Sequence, residues 1–359
     1  MTSLTADHIA SCTGPCRLGH EVTLTPYVVA EEGYCLAVRA LDDKDVYNQL
    51  EGADGVFRTI RKGDVIVGAL GERQALKGFS GRIPRQIQPG DTLHVLNMGG
   101  ILGRSQSEHP DLGAALAVEV LGAVVVGEHA RHARIQDHAI EPTEHLERSA
   151  PLVMVSGTAM NTGKTHAAAQ LVGGLTARGL RVAAAKLTGA SLMRDVRAME
   201  AQGAVCSASF TEAGVVATTG RDMVPIAKGL IRHLNASCAP DVLVLELGDG
   251  IIGPYGVDAI LQDMELQRLT AAHVLAAADL AGVWAADQLF RKRYRTELTV
   301  VVGPATDTEV GRRHVRNALG IHAINARSEP EALSDLITQA VHEMAARQHA
   351  ARAKNGLRL

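Results

Sequence analysis

The residues best suited to chemistry lie in one run, Ser156-Gly157-Thr158-Ala159-Met160-Asn161-Thr162-Gly163-Lys164-Thr165. Binding a nucleoside triphosphate takes a loop of free backbone amides, glycines that let the main chain approach the phosphates, a lysine on the β and γ oxygens and a hydroxyl for Mg²⁺. Gly157, Thr158, Asn161, Thr162 and Gly163 supply the loop, Lys164 the cation and Thr165 the hydroxyl. The apolar run LVMVS precedes the loop and the helical run HAAAQLVGGLTARG follows it, so the loop joins a strand to a helix N-terminus. Five residues separate Gly157 from Gly163, one more than in the strict G-x-x-x-x-G-K-[ST] pattern.

Two further candidates close apolar strands: Lys186 ends RVAAAKL and Glu246 falls near the end of DVLVLEL. Ligands of open α/β sheets sit beyond the carboxyl ends of the strands, which is where both side chains would emerge. A buried carboxylate needs a counter-charge, and Mg²⁺ or Lys164 is the expected partner of Glu246. Asp249 is the alternative metal ligand, because the register of the strand end decides which side chain faces the loop. Segment Gly248–Gly256 (GDGIIGPYG) reads equally as a substrate loop or a connection, and Asp307 or Thr308 as a helix cap or a base or ribose contact. No Asn-Lys-x-Asp sequence occurs in this half of the chain, so ATP is favoured and GTP is the alternative.

The longer loop resembles that of dethiobiotin synthetase and the cobyrinic and cobyric acid amide synthases, Gly-Thr-Asp-x-x-x-Gly-Lys-Thr, with Ala159 where that pattern has Asp. Ala185-Lys186-Leu187-Thr188-Gly189 is similar to their Lys-Pro-Val strand end, and Leu243–Gly250 to their Val-Glu-Gly-Ala-Gly-Gly. The resemblance spans Leu152–Gly250. It implies that Lys186 reaches the transferred phosphate, that Glu246 helps hold Mg²⁺, and that Asp195 is the magnesium-binding aspartate placed after the second lysine. A looser similarity, over Lys186–Thr219 with its Phe210-Thr211-Glu212-Ala213-Gly214 segment, links the chain to the P-loop family that includes D-glutamate N-acetyltransferase.

The elements that must position these residues follow from the apolar pattern. From Pro151 onward, nearly all-apolar strands (LVMVSG, RVAAAKL, DVLVLEL, LTVVVG, GIHAIN) alternate with helical runs at Thr165–Arg178, Leu192–Gln202, Met223–Leu234, Thr308–Leu319 and Glu329–Ala346. Strands apolar on both faces predict a mostly parallel sheet covered by helices, a three-layer α/β domain over residues 151–359. Residues 1–127 are expected to form a smaller β-rich domain of barrel or sandwich type. Within it, IRKGDVIVGAL and IQPGDTLHVLN repeat one turn-plus-strand unit at a separation of 27 residues, and Asp111–Val126 reads as a short helix running into a strand. The polar stretch 128–150 is the expected linker. Its His129, His132, His138 and His145 fit no standard zinc spacing, and Cys12 and Cys16 form only a pair.

The chain has 359 residues, 46% hydrophobic and 21% charged, which is the composition of a folded globular protein of about two domains. A formal charge of −3 and 3% aromatic residues supply neither the field nor the stacking platforms of a nucleic-acid binder. No apolar run reaches ~18–20 residues, the N-terminus lacks a signal-peptide pattern, and five sparse cysteines suit reduced thiols, so a cytoplasmic, membrane-free protein is expected. The combined expectation is Mg·ATP-dependent phosphorylation of a small-molecule carboxylate or carbamate, as a ligase or kinase, with Lys164, Lys186 and Glu246 catalytic and the N-terminal domain supplying acid specificity or a partner surface. A homodimer is compatible with the sequence. The alternatives are a nucleotide-switched metallochaperone or regulatory GTPase, and a P-loop protein of acyltransferase type.

Overall fold

The computed structural model describes residues 1–356; the end of the expected second domain, residues 357–359, lies outside them. The chain forms two units. The first comprises Met1–Ile140 together with Ala190–Arg194 and Phe210–Thr219, and the second comprises Glu141–Gly189, Asp195–Ser209 and the chain from Gly220 onward.

In the first unit, strand Leu116–Val126 pairs antiparallel with Cys35–Ala40, which pairs with Val65–Leu70. Val65–Leu70 runs parallel to Ile101–Glu108, and Thr92–Val95 pairs with both Ile101–Glu108 and Leu116–Val126. The ring closes on itself, so the β-rich unit is a small barrel, filled by Leu36, Val38, Ile66, Leu93, Leu102 and Val118. The repeated sequence unit builds the same turn twice. Gly63 and Gly90 take φ of 94° and 91°, and Asp64 and Asp91 each accept a hydrogen bond from the amide three residues earlier, Arg61 at 2.7 Å and Gln88 at 2.9 Å. The two strands that follow flank Ile101–Glu108 on opposite sides.

The structure departs from the sequence pattern in three places. Leu116–Val126 is strand throughout, preceded by one 3-10 turn at Pro110–Leu112; burial alternates from Leu116 to Leu121, and that period of two outweighs the helical composition. The polar stretch 128–150 is not a single linker, because Arg131–His132 pairs with Leu116–Val126 and Ile135–His138 forms a 3-10 turn, all within the first unit. Segments 190–194 and 210–219 also join the first unit. Ala190 bridges Ala217, the Asn97 amide donates to the Ser191 carbonyl at 2.8 Å, and the buried Glu51 carboxylate accepts from the Met193 and Arg194 amides at 2.7 Å each.

The second unit is a seven-stranded parallel sheet. Its strands are β1 (Leu152–Gly157), β2 (Val182–Thr188), β3 (Cys206–Ser209), β4 (Val242–Leu247), β5 (Thr270–Ala276), β6 (Val300–Val302) and β7 (His322–Ala323), in the order β3-β2-β4-β1-β5-β6-β7. Helix α1 (Lys164–Ala177) and the long C-terminal helix (Pro330–Gly356) cover one face through Val153, Val155, Val244, Leu171, Leu333 and Ile337. Each fully buried side chain of this kind contributes ~1.5–3 kcal/mol. Strands β3 and β5 had no counterpart in the sequence pattern. In the same unit Cys206 and Cys238 form a disulfide, contrary to the expected five reduced thiols, because β3 starts beside the end of helix Val224–Cys238 with a Cα–Cα separation of 6.4 Å. Among the described residues no helix is long and apolar enough to cross a membrane.

Candidate functional site

The sheet order puts β1 at the centre, with β4 on one side and β5 on the other, so the loop after β1 leaves the middle of the sheet. Register then sets the site. Glu246 lies opposite Val155 of β1 and opposite Lys186 of β2, which places an acid and a base abreast at the carboxyl end of the sheet. The chain that follows β1, Thr158–Gly163, leads into α1 at Lys164. Gly157 is required by close approach: a Cβ there would meet Thr162 Oγ1 at 2.7 Å and Lys164 Cγ and Cδ at 2.9 Å.

Lys164 is buried, at 6% exposure, and its Nζ donates to the Ala159 carbonyl at 2.8 Å. The ammonium is thereby folded into its own loop, on the atoms around which phosphate would bind. Burial pushes its pKa down, and the carboxylates of Glu246, Asp249 and Asp195 act in the opposite sense. Thr162 Oγ1 also donates to the Ala159 carbonyl, at 3.0 Å, and the Thr158 amide bonds the end of β5 at Ala276 O, 3.0 Å away.

Thr165, one residue along α1, brings the carboxylates together. Its Oγ1 lies 2.8 Å from Glu246 Oε1 and 3.1 Å from Asp195 Oδ1. The other oxygen of Asp195 binds Lys186 Nζ at 2.5 Å. Burial works against the Lys186 charge, yet Asp195 and Glu246 outweigh it and hold the lysine above its usual pKa. Burial, aided by Asp195, raises Glu246 to about 7, while Lys186 and the Thr165 hydroxyl pull the other way. Glu246 is 2% exposed, and its Oε2 is buried without a hydrogen-bond partner. A buried carboxylate oxygen left in this way is a demand for a cation.

The structure therefore gathers Lys164, Thr165, Lys186, Asp195 and Glu246 into one cluster. Asp249 stands at the edge, with φ of 63° and within electrostatic reach of both lysines. Between Glu246 and Asp249, it is Glu246 that touches Thr165. The Gly248–Gly256 segment returns to the loop, the Ile251 amide donating to Gly157 O at 2.9 Å.

Beside the phosphate loop lies a cleft lined by Asn161, Gly163, His166, Asp307, Asn325 and Arg327. Asp307 lines the cleft and accepts from the Asn325 side-chain amide at 2.8 Å, whereas Thr308 caps the helix Glu309–His314 by accepting from the Gly311 amide at 3.5 Å. His166, Asn325 and Arg327 carried no motif in the sequence. The signal available for Asn325 was its place just past β7, at the same carboxyl edge of the sheet. Of the linker histidines, His129, His132 and His138 belong to the first unit and His145 to the second. Among the described residues no group of three or more His, Cys, Asp or Glu is placed to hold a metal by itself.

No family model matches the chain, and no curated protein matches it. Solved structures that resemble it include the cell division protein FtsY of Thermotoga maritima (15% identity, 56% of this chain and 71% of that one, TM-score 0.35). Two others are a DUF1611 family protein of Anabaena variabilis (14%, 55% and 62%, 0.37) and the nucleotide-binding protein of Archaeoglobus fulgidus in complex with ADP (16%, 52% and 86%, 0.34). Overlaps of this extent leave the chemistry of the site to its own geometry, which is a strand, a phosphate-type loop and a helix on a parallel sheet.

Proposed function

We propose that the second unit binds a nucleoside triphosphate, ATP in preference to GTP, and transfers its terminal phosphoryl group to a small-molecule carboxylate or carbamate. One observation carries this reading: a second buried lysine, Lys186, stands in the same cluster as the loop lysine and the Thr165 hydroxyl, at 4% exposure and braced by Asp195. A loop that only held nucleotide has no need of it. A loop that passes a phosphoryl group to an anionic acceptor must offset negative charge on both partners.

The donor set fits a divalent cation, given two carboxylates, a hydroxyl and the orphaned Glu246 Oε2. Mg²⁺ held by Thr165, Asp195 and Glu246 would supply charge neutralisation on the phosphate oxygens. The residues of the chain do the remainder. The amides of Thr158–Gly163 orient the phosphates, and Lys164 exchanges the Ala159 carbonyl for phosphate oxygen. Lys186 draws the acid towards the phosphorus and stabilises charge during transfer. An oxygen of the acid forms the new P–O bond, and the nucleoside diphosphate leaves with the electrons of the bond that breaks. If an amine or hydroxyl then attacks the acyl phosphate the protein is a ligase; if nothing does, it is a kinase. Similarity of the Gly157–Thr165 loop to that of dethiobiotin synthetase supports the same class.

The test compares Lys164→Ala and Lys186→Ala, with ATP and GTP in parallel, against a panel of carboxylic acids. Lys164→Ala is expected to lose both nucleotide affinity and turnover. Lys186→Ala should keep nucleotide affinity within a few-fold and lose turnover ~100-fold or more. A folded Lys186→Ala protein with wild-type turnover overturns the proposal.

A further inference from the structure

Three cysteines outside this site cluster in the barrel unit. Cys16 ends the 3-10 turn Ser11–Cys16, and Cys35 opens the strand Cys35–Ala40. Their sulfurs lie 3.7 Å apart, the two thiols sharing a hydrogen bond. Exposure is unequal, since Cys16 is half-buried while Cys35 and Cys12 are buried. Cys35 faces Ala69 across the sheet.

We infer that Cys16 and Cys35 form a thiol–disulfide exchange site for a low-molecular-weight disulfide, with Cys16 the attacking sulfur and Cys35 the resolving one. The pair has the division of labour that exchange requires, a half-buried cysteine in contact with a fully buried one. Bond formation asks the sulfurs to close from 3.7 Å to ~2.05 Å, a movement within side-chain reach. Acidity runs the same way. The hydrogen bond from Cys35 lowers the Cys16 pKa, and the same contact together with burial holds Cys35 well above its usual value. Burial pushes the Cys12 thiol up to about 12, which keeps it protonated and out of the exchange.

The step balances. The Cys16 thiolate attacks one sulfur of the small disulfide, forms a mixed disulfide and expels one thiolate, which takes up the proton lost from Cys16. Cys35 then gives up its proton and attacks the Cys16 sulfur, expelling the second small thiol with that proton. The two protein sulfurs lose two electrons, and the small disulfide gains them as two thiols. A metal alternative finds no support, because among the described residues no group of three or more His, Cys, Asp or Glu is placed to hold one.

Oxidised glutathione is the probe, applied to the whole chain, with free thiols counted after denaturation and linked peptides mapped without reduction. Before treatment three cysteines are free, the other two being paired as Cys206–Cys238. Treatment is expected to leave one, Cys12, and to yield a peptide joining Cys16 to Cys35. In Cys35→Ser the reaction should stop at a glutathione adduct on Cys16; in Cys16→Ser neither Cys12 nor Cys35 should react. Three free thiols surviving in the wild type, a stable adduct on Cys16 with no cross-link, or a cross-link through Cys12 each overturns the assignment. Should Cys35→Ser fail to fold by circular dichroism, the wild-type peptide map decides by itself.

Discussion

Asp195 joins Lys186 to Thr165: one carboxylate oxygen holds the Lys186 ammonium at 2.5 Å and the other lies 3.1 Å from the Thr165 hydroxyl. The two lysines, two acids and one hydroxyl of the site are therefore not independent. Removing Asp195 takes one partner from both Lys186 and Thr165 at once.

Asp195→Ala should show this directly. Breaking a buried ion pair by deleting one partner costs up to ~3–5 kcal/mol, and here Glu246 and Asp249 still act on the Lys186 charge, so the loss is expected below that limit. The variant is expected to unfold at distinctly lower denaturant concentration than the wild type, and Asp195→Ala with Lys186→Met should recover part of that loss. Equal midpoints for Asp195→Ala and the wild type would show that the pair contributes nothing.

Glu246→Gln keeps the shape of the side chain and removes a hard anionic ligand. Steady-state nucleotide turnover should then need several-fold more Mg²⁺ for half-maximal rate, with partial rescue at high Mg²⁺. Glu246 is the carboxylate that bonds the Thr165 hydroxyl, so Asp249→Asn should respond to Mg²⁺ as the wild type does. If the two variants exchange behaviours, Asp249 is the ligand.

Gly157→Ala forces a methyl group against Thr162 Oγ1 and the Lys164 stem, at 2.7 and 2.9 Å. The loop must shift, and with it the Lys164 ammonium. Nucleotide affinity is expected to fall ~10-fold or more by calorimetry while thermal stability drops by an ordinary single-mutation amount, ~1–2 kcal/mol. Unchanged affinity would mean that the loop does not carry phosphate.

His273 supplies a pH signature distinct from the site. It is buried on β5 with its ring edge-on to Phe290 at 5.3 Å, and burial lowers its pKa from 6.5 to about 4. The unfolded chain therefore binds a proton that the folded chain refuses between those two values. Stability contributed by the neutral ring is complete above pH 6.5 and is lost as the pH falls towards 4, by up to ~3 kcal/mol at ~1.36 kcal/mol per unit. Below pH 4 the folded state also takes the proton and the loss stops. His273→Phe should flatten that segment of the stability profile; a slope identical to wild type would assign it to other groups.

How much of this was legible in the sequence depended on the range of the interactions involved. The Gly157–Thr165 loop and the strand ends at Lys186 and Glu246 could be read because local spacing and apolar runs specify them. Strand β5 was hidden because Thr270–Ala276 is alanine-rich, and only a place between two other strands makes it extended. Ala190–Arg194 and Phe210–Thr219 looked like parts of the α/β domain, since their partners Glu51, Asn97, Glu32 and Gln136 lie some 80 to 180 residues earlier. Of the cleft beside the loop, Asn161, Gly163 and Asp307 were legible as candidates, while His166, Asn325 and Arg327 carry no local motif and join them only once the sheet is built.

Those two returning segments have a consequence for biosynthesis. Val216 and Ala217 belong to the core of the barrel unit, whose main stretch ends at Ile140. A ribosome delivers domains in order from the N-terminus, at ~5–20 residues per second. The last part of the first unit, through Thr219, is made only after β1, α1 and β2 have emerged. A piece cut after Ala150 would lack Val216 and Ala217 from the core of the first unit and is expected to be less stable than that unit in the whole chain.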